Sequence, residues 1–318
     1  MNTIPIAFAF DNNLILPACV CISSLMMHAK EDTFYDIFIL HSAKEKLKKD
    51  ELDILPQHYS NCQIQYREVD DTFDNAFEIR GITTPAYYRL LIPELIPEYE
   101  KVIYADVDII FRMDLSDLYQ IDLNNYLIAA TKDLGLNLSE EGQKYINTIP
   151  GLVQGQYLQS GFIVMNSAMM QTHHLVGQFK SLAQKKYRYQ DQDILNIACL
   201  GNVLFLPPCY NMTDLSYTHF IRNVETVRTL YSNSEIEEAL LHGNIHYNGH
   251  KPWIKYCVNF DIWWEYYRRS PFFDMSAYFG FFHDKLNEFD QLSLWKRIKI
   301  LIRYFTHGRK RAINNLIK

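Results

Sequence analysis

The sequence predicts an α/β protein built on a mixed, mostly parallel central sheet with helices on both faces. Three observations point there. Short apolar segments alternate with amphipathic ones through the first half of the chain, the links between them are short, and acidic residues stand directly after several of the apolar segments. Strand–helix alternation with short links is the pattern of parallel sheets covered on both faces. Functional groups in such sheets collect beyond the carboxyl ends of the strands.

Taken in order, IPIAFAF (4–10) reads as a buried strand and 13–29 as a helix with Asn12 or Asn13 near its cap. YDIFILHS (35–42) reads as a second strand, AKEKLKKDELDIL (43–55) as a charged amphipathic helix, and CQIQYREV (62–69) as a third strand. PAYYRLLIPEL (85–95) begins with a proline suited to a first helical turn. KVIYADVDII (101–110) and YLIAATKD (126–133) add two strands. In the second half, SGFIVMN (160–166), NVLFLP (202–207) and NIHYNG (244–249) read as strands, with a helix over DQDILNIACL (191–200). Beyond about residue 261 the chain turns aromatic and then basic. The expected division is a catalytic-sized domain over 1–265 and a short helical appendage over 266–318.

The 318 residues are 48% hydrophobic, enough for a sizeable core. The formal charge is −6, unevenly spread: residues 291–318 carry eight Lys or Arg and no acid, and the remainder carries 23 basic against 37 acidic side chains. An acidic body argues against general nucleic-acid binding. The six cysteines form no Cys-x-x-Cys pair and sit among apolar neighbours, which predicts buried, reduced thiols. No secretory leader and no apolar run of about 18 residues is evident, so the expected location is cytoplasmic. Two sequons, at Asn137 and Asn211, carry no meaning there.

Within KVIYADVDII, Asp106 and Asp108 interrupt an apolar run. Buried carboxylates require a partner, a hydrogen bond or a metal. In an extended segment residues i and i+2 share a face, so both can reach one cation. Hard ions such as Mg²⁺ or Mn²⁺ prefer carboxylate oxygens and often add substrate phosphates to their shell. Asp11 and Asp133 also follow apolar segments and add charge at the same edge. Asp-x-Asp alone is a weak signal, and a second instance stands at Asp191-Gln192-Asp193. A phosphatase of the haloacid-dehalogenase type also ends a strand in Asp-x-Asp, but here Ile110 stands where it would carry Thr or Val.

More distant motifs favour a nucleotide-sugar transferase. ITTPAYYRLLIPELIPEYEKVIYADVDII (82–110), YLQSGFIVMN (157–166), YQDQDILN (189–196) and IHYNGHKPW (245–253) occur in that order. Together they resemble the family 8 glycosyltransferases, retaining enzymes of the GT-A fold that include bacterial lipopolysaccharide galactosyl- and glucosyltransferases and glycogenin. The resemblance runs from about residue 4 to 256. It implies transfer of galactose or glucose from a UDP-hexose to a saccharide or glycolipid acceptor, with Mn²⁺ or Mg²⁺ held by Asp106, Asp108 and His246. It assigns Ala9, Asp11, Asn13, Asp106, Val107, Gly249 and Lys251 to the nucleotide, and Arg89, Asp133, Gln159 and Asp191 to the donor sugar. Asp191 and Gln192 take the catalytic positions, and the amide of Gln192 is a poor covalent nucleophile. Other roles compete for some of these residues: Asp11 and Asn13 as caps of the first helix, Asp191 as a helix N-cap. A non-catalytic nucleotide-sugar-binding protein is the rival of another class. Two departures stand out: Gln159 replaces the family's usual Asn, and the His246–Lys251 motif is one residue short.

The tail LWKRIKILIRYFTHGRKRAINNLIK (294–318) places Ile298, Leu301, Ile302 and Phe305 at helical spacing among cations. Such a helix is expected to lie against an anionic surface, placing the protein on the inner face of the membrane.

Overall fold

A computed structural model of the chain describes residues 2–74, 76–78 and 84–306. Its strands, in chain order, are β1 (Asn2–Ala9), β2 (Thr33–Ser42), β3 (Cys62–Val69), β4 (Lys101–Ala105), β5 (Ile109–Ile110), β6 (Ile128–Lys132), β7 (Leu158–Asn166), β8 (Val203–Phe205), β9 (Met212–Thr213) and β10 (Ile245–His246). The main sheet has the order β3-β2-β1-β4-β7-β6-β8. All its pairings are parallel except those made by β7, which runs antiparallel to β4 and β6.

The apolar runs of β1 and β4 reflect burial on both faces. In β1, Ile4, Ile6 and Phe8 enter one core cluster while Ala7 and Ala9 enter the other; in β4, Ile103 and Ala105 oppose Val102 and Tyr104. The chain runs from β1 outward through β2 to β3, then crosses to the other side of β1 to lay down β4. That reversal opens a crevice at the carboxyl ends of β1 and β4, where open α/β sheets bind ligands.

KVIYADVDII does not stay in one sheet. β4 ends at Ala105, residues 107–108 turn, and β5 joins a second sheet of order β5-β10-β9. The Asp106 amide still donates to Gly161 O at 2.8 Å, while Tyr247 N donates to Asp108 O at 2.9 Å. The two carboxylates therefore sit where the chain passes from one sheet to the next.

The helix expected over 43–55 is replaced by extended chain and turns, with a 3-10 turn Leu52–Ile54 and a short helix Leu55–His58. Asn12 accounts for this. Its side chain donates to Glu45 Oε1 and Lys46 O and accepts from Lys48 N, holding residues 45–48 in a non-helical path. Tertiary hydrogen bonding here overrides helix propensity. The helix expected over 85–95 is mostly a 3-10 helix, Thr84–Leu91, with one α-turn at Ile92–Leu95.

A third, aromatic-rich cluster packs the second sheet against the helix Phe260–Arg269 through Trp263, Trp264, Tyr266 and Tyr267. Position 265 falls inside this helix. Helix Met275–Asp290 docks on this cluster by packing the rings of Phe281 and Phe282 against Phe260 and Trp264. Helix Leu294–Thr306 follows it. The cluster Arg309–Arg311 lies outside the described residues. All six cysteines are free thiols and buried. Both sequon asparagines are buried too, Asn137 bonded to Tyr157 backbone and Asn211 to His246.

Candidate active site

A cleft of about 560 Å³ opens at the ends of β1 and β4. Ala9, Asp11, Arg89, Asp106, Val107, Asp108, Asp133, Gln159, Asp191, Gln192, His246 and Lys251 all line it. Asn13 and Gly249 do not. Asn13 is exposed on the 3-10 turn after β1, where its amide is capped by Asp11 Oδ1 at 2.9 Å, so the capping role expected of Asp11 is realised. Gly249 permits a close approach of another kind: a Cβ there would come within 2.8 Å of Asp214 Oδ2.

Asp106, Asp108 and His246 offer ligand atoms all within 4.8 Å of one another. β10 carries the histidine alongside β5, which follows directly on the two aspartates. His246 Nε2 stands 3.2 Å from Asp108 Oδ1 and 3.6 Å from Asp106 Oδ2, while its Nδ1 meets Asn211 Oδ1 at 2.8 Å. Two features of this site fit a cation. Asp108 Oδ1 is buried without a hydrogen bond, and facing an imidazole nitrogen at that distance requires either a proton or a metal between them. Gly161 supplies the space, because a Cβ there would lie 2.3 Å from His246 Cε1 and 2.6 Å from Asp106 Oδ2. An imidazole beside two carboxylates is a suitable donor set for a borderline divalent ion such as Mn²⁺.

Each member of this cluster is held from behind. Asp106 Oδ1 accepts from Arg89 Nη2 and from Tyr104 Oη, both at 2.8 Å, which leaves Oδ2 facing the histidine. Arg89 also lies 3.3 Å from Asp191 Oδ2 and over the Tyr104 ring. Burial alone would lower the pKa of this guanidinium, but Asp106 and Asp191 hold it firmly charged. Lys251 Nζ pairs with Asp108 Oδ2 and donates to Tyr247 O at 2.6 Å. Burial pushes the Asp108 carboxyl up, yet Lys251 and His246 outweigh it and keep the group below the usual carboxylate range.

The cleft carries a second network around Asp133, Asp191 and Gln192. Asp191 lies inside the first turn of the helix Gln190–Ala198, whose N-cap is Tyr189, so the expected cap role of Asp191 is not realised. Its carboxylate instead accepts from Ser160 Oγ at 3.1 Å beside Arg89, and burial pushes its pKa up to about 6. Gln192 is anchored at both ends of its amide: Oε1 accepts from Ser160 N at 3.0 Å and Nε2 donates to Asp133 Oδ2 at 3.1 Å. Burial raises Asp133 as well. The second Asp-x-Asp does not form a metal pair. Asp193 faces away and accepts from Tyr145 Oη, Tyr157 Oη and Tyr189 N, tying this helix to the sheet.

Tyr104, Ser160, Gly161 and Asn211 are given no site role by the sequence. Each resembles ordinary strand or loop chemistry there, and only the Ser160-Gly161 pair within YLQSGF offers a signal.

A model of glycosyl transferase family 8 matches residues 5–257. A putative glycosyltransferase of Haemophilus influenzae is 31% identical over 220 residues, 67% of this chain and 64% of that protein. A lipopolysaccharide 1,2-glucosyltransferase of Escherichia coli is 30% identical over 177 residues, 54% of this chain and 50% of that protein. The matched region thus spans between half and two thirds of these relatives. Among solved structures, the bifunctional glycosyltransferase WbbM superposes with a TM-score of 0.69 at 25% identity, over 87% of this chain and 51% of that one. The galactosyltransferase LgtC with donor and acceptor sugar analogues superposes with a TM-score of 0.67 at 23% identity, over 86% and 98%. The architecture is the GT-A fold, and the chain belongs to glycosyl transferase family 8.

Proposed function

We propose that the chain transfers galactose or glucose from a UDP-hexose to a saccharide or glycolipid acceptor, with retention of the α-configuration and with Mn²⁺ or Mg²⁺. The observation that carries this reading is the convergence of Asp106, Asp108 and His246 at the sheet's reversal point, inside a chain of this family. The bound cation supplies Lewis-acid stabilisation of the diphosphate leaving group. Lys251, paired here with Asp108, would be free to neutralise charge on the diphosphate once a cation took that carboxylate. Asp11 and Val107 flank the nucleotide end of the cleft.

Asp133, Asp191 and Gln192 hold hydroxyls of the sugar, since carboxylates and amides accept and orient O–H groups. Gln192 is tied to Ser160 and Asp133, and a neutral amide is a poor nucleophile, which favours front-face substitution with the departing phosphate deprotonating the acceptor. The phosphatase alternative is disfavoured because Ile110 stands where that class carries Thr or Val, and because the chain belongs to glycosyl transferase family 8. Intact metal-ligand candidates disfavour a purely binding role.

The test needs no acceptor: a panel of UDP-sugars is assayed for UDP release with Mn²⁺, Mg²⁺ or chelator. Release confined to metal-containing samples and to one UDP-hexose supports the reading. Equal release under chelator, or phosphate release from phosphomonoesters alone, overturns it.

The helix Leu294–Thr306 extends the proposal to peripheral attachment at an anionic membrane surface. No helix among the described residues is long and apolar enough to cross a membrane. Leu294, Trp295, Leu301 and Ile302 are nevertheless exposed, Trp295 by 80%. Lys296, Lys299 and Arg303 flank them, a composition suited to the headgroup region.

A further inference from the structure

Resting on the metal-site reading above, we infer that Asn211 and Gln159 are positioning residues that select the metal-binding tautomer of His246. A chain of hydrogen bonds runs from a backbone amide to the histidine. Gly161 N donates to Gln159 Oε1 at 2.7 Å, Asn211 Nδ2 donates to the same oxygen at 2.5 Å, and Asn211 Oδ1 meets His246 Nδ1 at 2.8 Å.

The direction of this chain is not arbitrary. A backbone N–H can only donate, so the atom of Gln159 that meets it is the amide oxygen. That oxygen can only accept, so Asn211 turns its NH₂ toward it. Asn211 then presents its own oxygen to His246, which has to carry its proton on Nδ1. The lone pair is thereby left on Nε2, the nitrogen aimed at Asp106 and Asp108. A ligating histidine whose other nitrogen is so fixed is held in tautomer and in ring orientation. Gln159, Asn211 and His246 have relative exposures of 8% or less and Gly161 is buried as well, so water does not compete for these bonds.

The same geometry gives Gln159 a purpose of its own. It stands where the family usually has Asn, and its longer side chain lets one oxygen serve both Gly161 and Asn211. That oxygen is committed inside the protein, so a donor sugar can take only the hydrogens on Nε2.

Mn²⁺ binding to the full chain is measured by electron paramagnetic resonance with UDP present and no sugar, so that contacts of Gln159 with a hexose cannot contribute. Asn211→Leu and Gln159→Met each break the chain and should weaken Mn²⁺ binding by about 10- to 100-fold. Gln159→Glu keeps an oxygen that accepts from both donors and should bind Mn²⁺ within about threefold of wild type or more tightly. A loss in Gln159→Glu equal to that in Gln159→Met, or no loss in either disrupted variant, overturns the inference. The metal-free wild type is examined separately by ¹⁵N spectra of its histidines, with His246→Gln to identify the signal. A protonated Nδ1 supports the relay, and a bare Nδ1 with the proton on Nε2 overturns it. Failure of the wild type to bind Mn²⁺ would instead strike the metal-site reading, and the ¹⁵N result would still decide the relay.

Discussion

Adding one methyl group at Gly161 probes the proposed metal centre without changing Asp106, Asp108 or His246. The Cβ of Gly161→Ala would lie 2.3 Å from His246 Cε1 and 2.6 Å from Asp106 Oδ2, where ordinary carbon contacts begin near 3.4 Å. The imidazole therefore has to retreat by about 1 Å, while a metal–nitrogen bond is only about 2 Å long. Gly161 sits within β7 with no need for a left-handed backbone, so alanine suits the strand itself. Its amide still donates to Gln159, so the histidine's tautomer is unaffected. Overpacking of this kind typically costs about 1–3 kcal/mol, a modest fall in melting temperature with the fold retained. Loss of the imidazole bond should weaken Mn²⁺ binding at least about 100-fold, or about 2.7 kcal/mol. Circular dichroism reports the fold, and Mn²⁺ titration in the presence of UDP reports the site. A folded Gly161→Ala protein that binds Mn²⁺ with wild-type affinity would refute the placement of the cation between His246 and Asp106.

Asp108→Ala should lower metal-dependent UDP-hexose hydrolysis at least about 100-fold, measured as UDP release, and near-normal turnover that still requires metal would contradict its role. Activity should fall as the pH drops through about 6, where burial places Asp191, and this limb should vanish in Asp191→Asn but persist in Asp214→Asn, whose carboxyl burial also lifts to about 6. Because the folded pKa of Asp191 is raised, its ionisation opposes folding: stability should decline by about 3 kcal/mol as the pH rises from about 4 to 6, followed by denaturant unfolding of wild type against Asp191→Asn. Product analysis by NMR should show retained α-configuration, and intact mass spectrometry during turnover should detect no glycosyl adduct on a carboxylate. Deleting 291–318 should reduce binding to anionic vesicles at low salt by about 100-fold or more. Lys296, Lys299 and Arg303 contribute roughly 1 kcal/mol each, and Arg297 is discounted because it pairs with Asp290. Equal vesicle binding by both forms would remove the tail as an anchor.

What the sequence made legible follows from how each residue relates to its neighbours in the chain. Asp106 and Asp108 stood out because carboxylates within VIYADVDII contradict the strand around them, and only a partner brought by the fold resolves that conflict. The two-sided burial of β1 and β4 was legible for a related reason: an unbroken apolar run has few other homes. Asn211 contradicts nothing. In PPCYNMTD it reads as a loop residue or a sequon, and its bonds to Gln159 and His246 span 52 and 35 positions in the chain. The same holds for Asn12, whose grip on residues 45–48 cancels a helix that local pattern favours. The strand β9 escapes the sequence for want of length, since two residues show no period, whereas β10 falls inside the strand expected over 244–249. Asp106 and Asp108 thus break local rules and are visible, whereas Asn211 and Tyr104, which hold the cluster in place, obey local rules and are not. The functional consequence is that substitutions at silent positions such as Asn211 and Tyr104 should damage the site as surely as substitutions at its ligands.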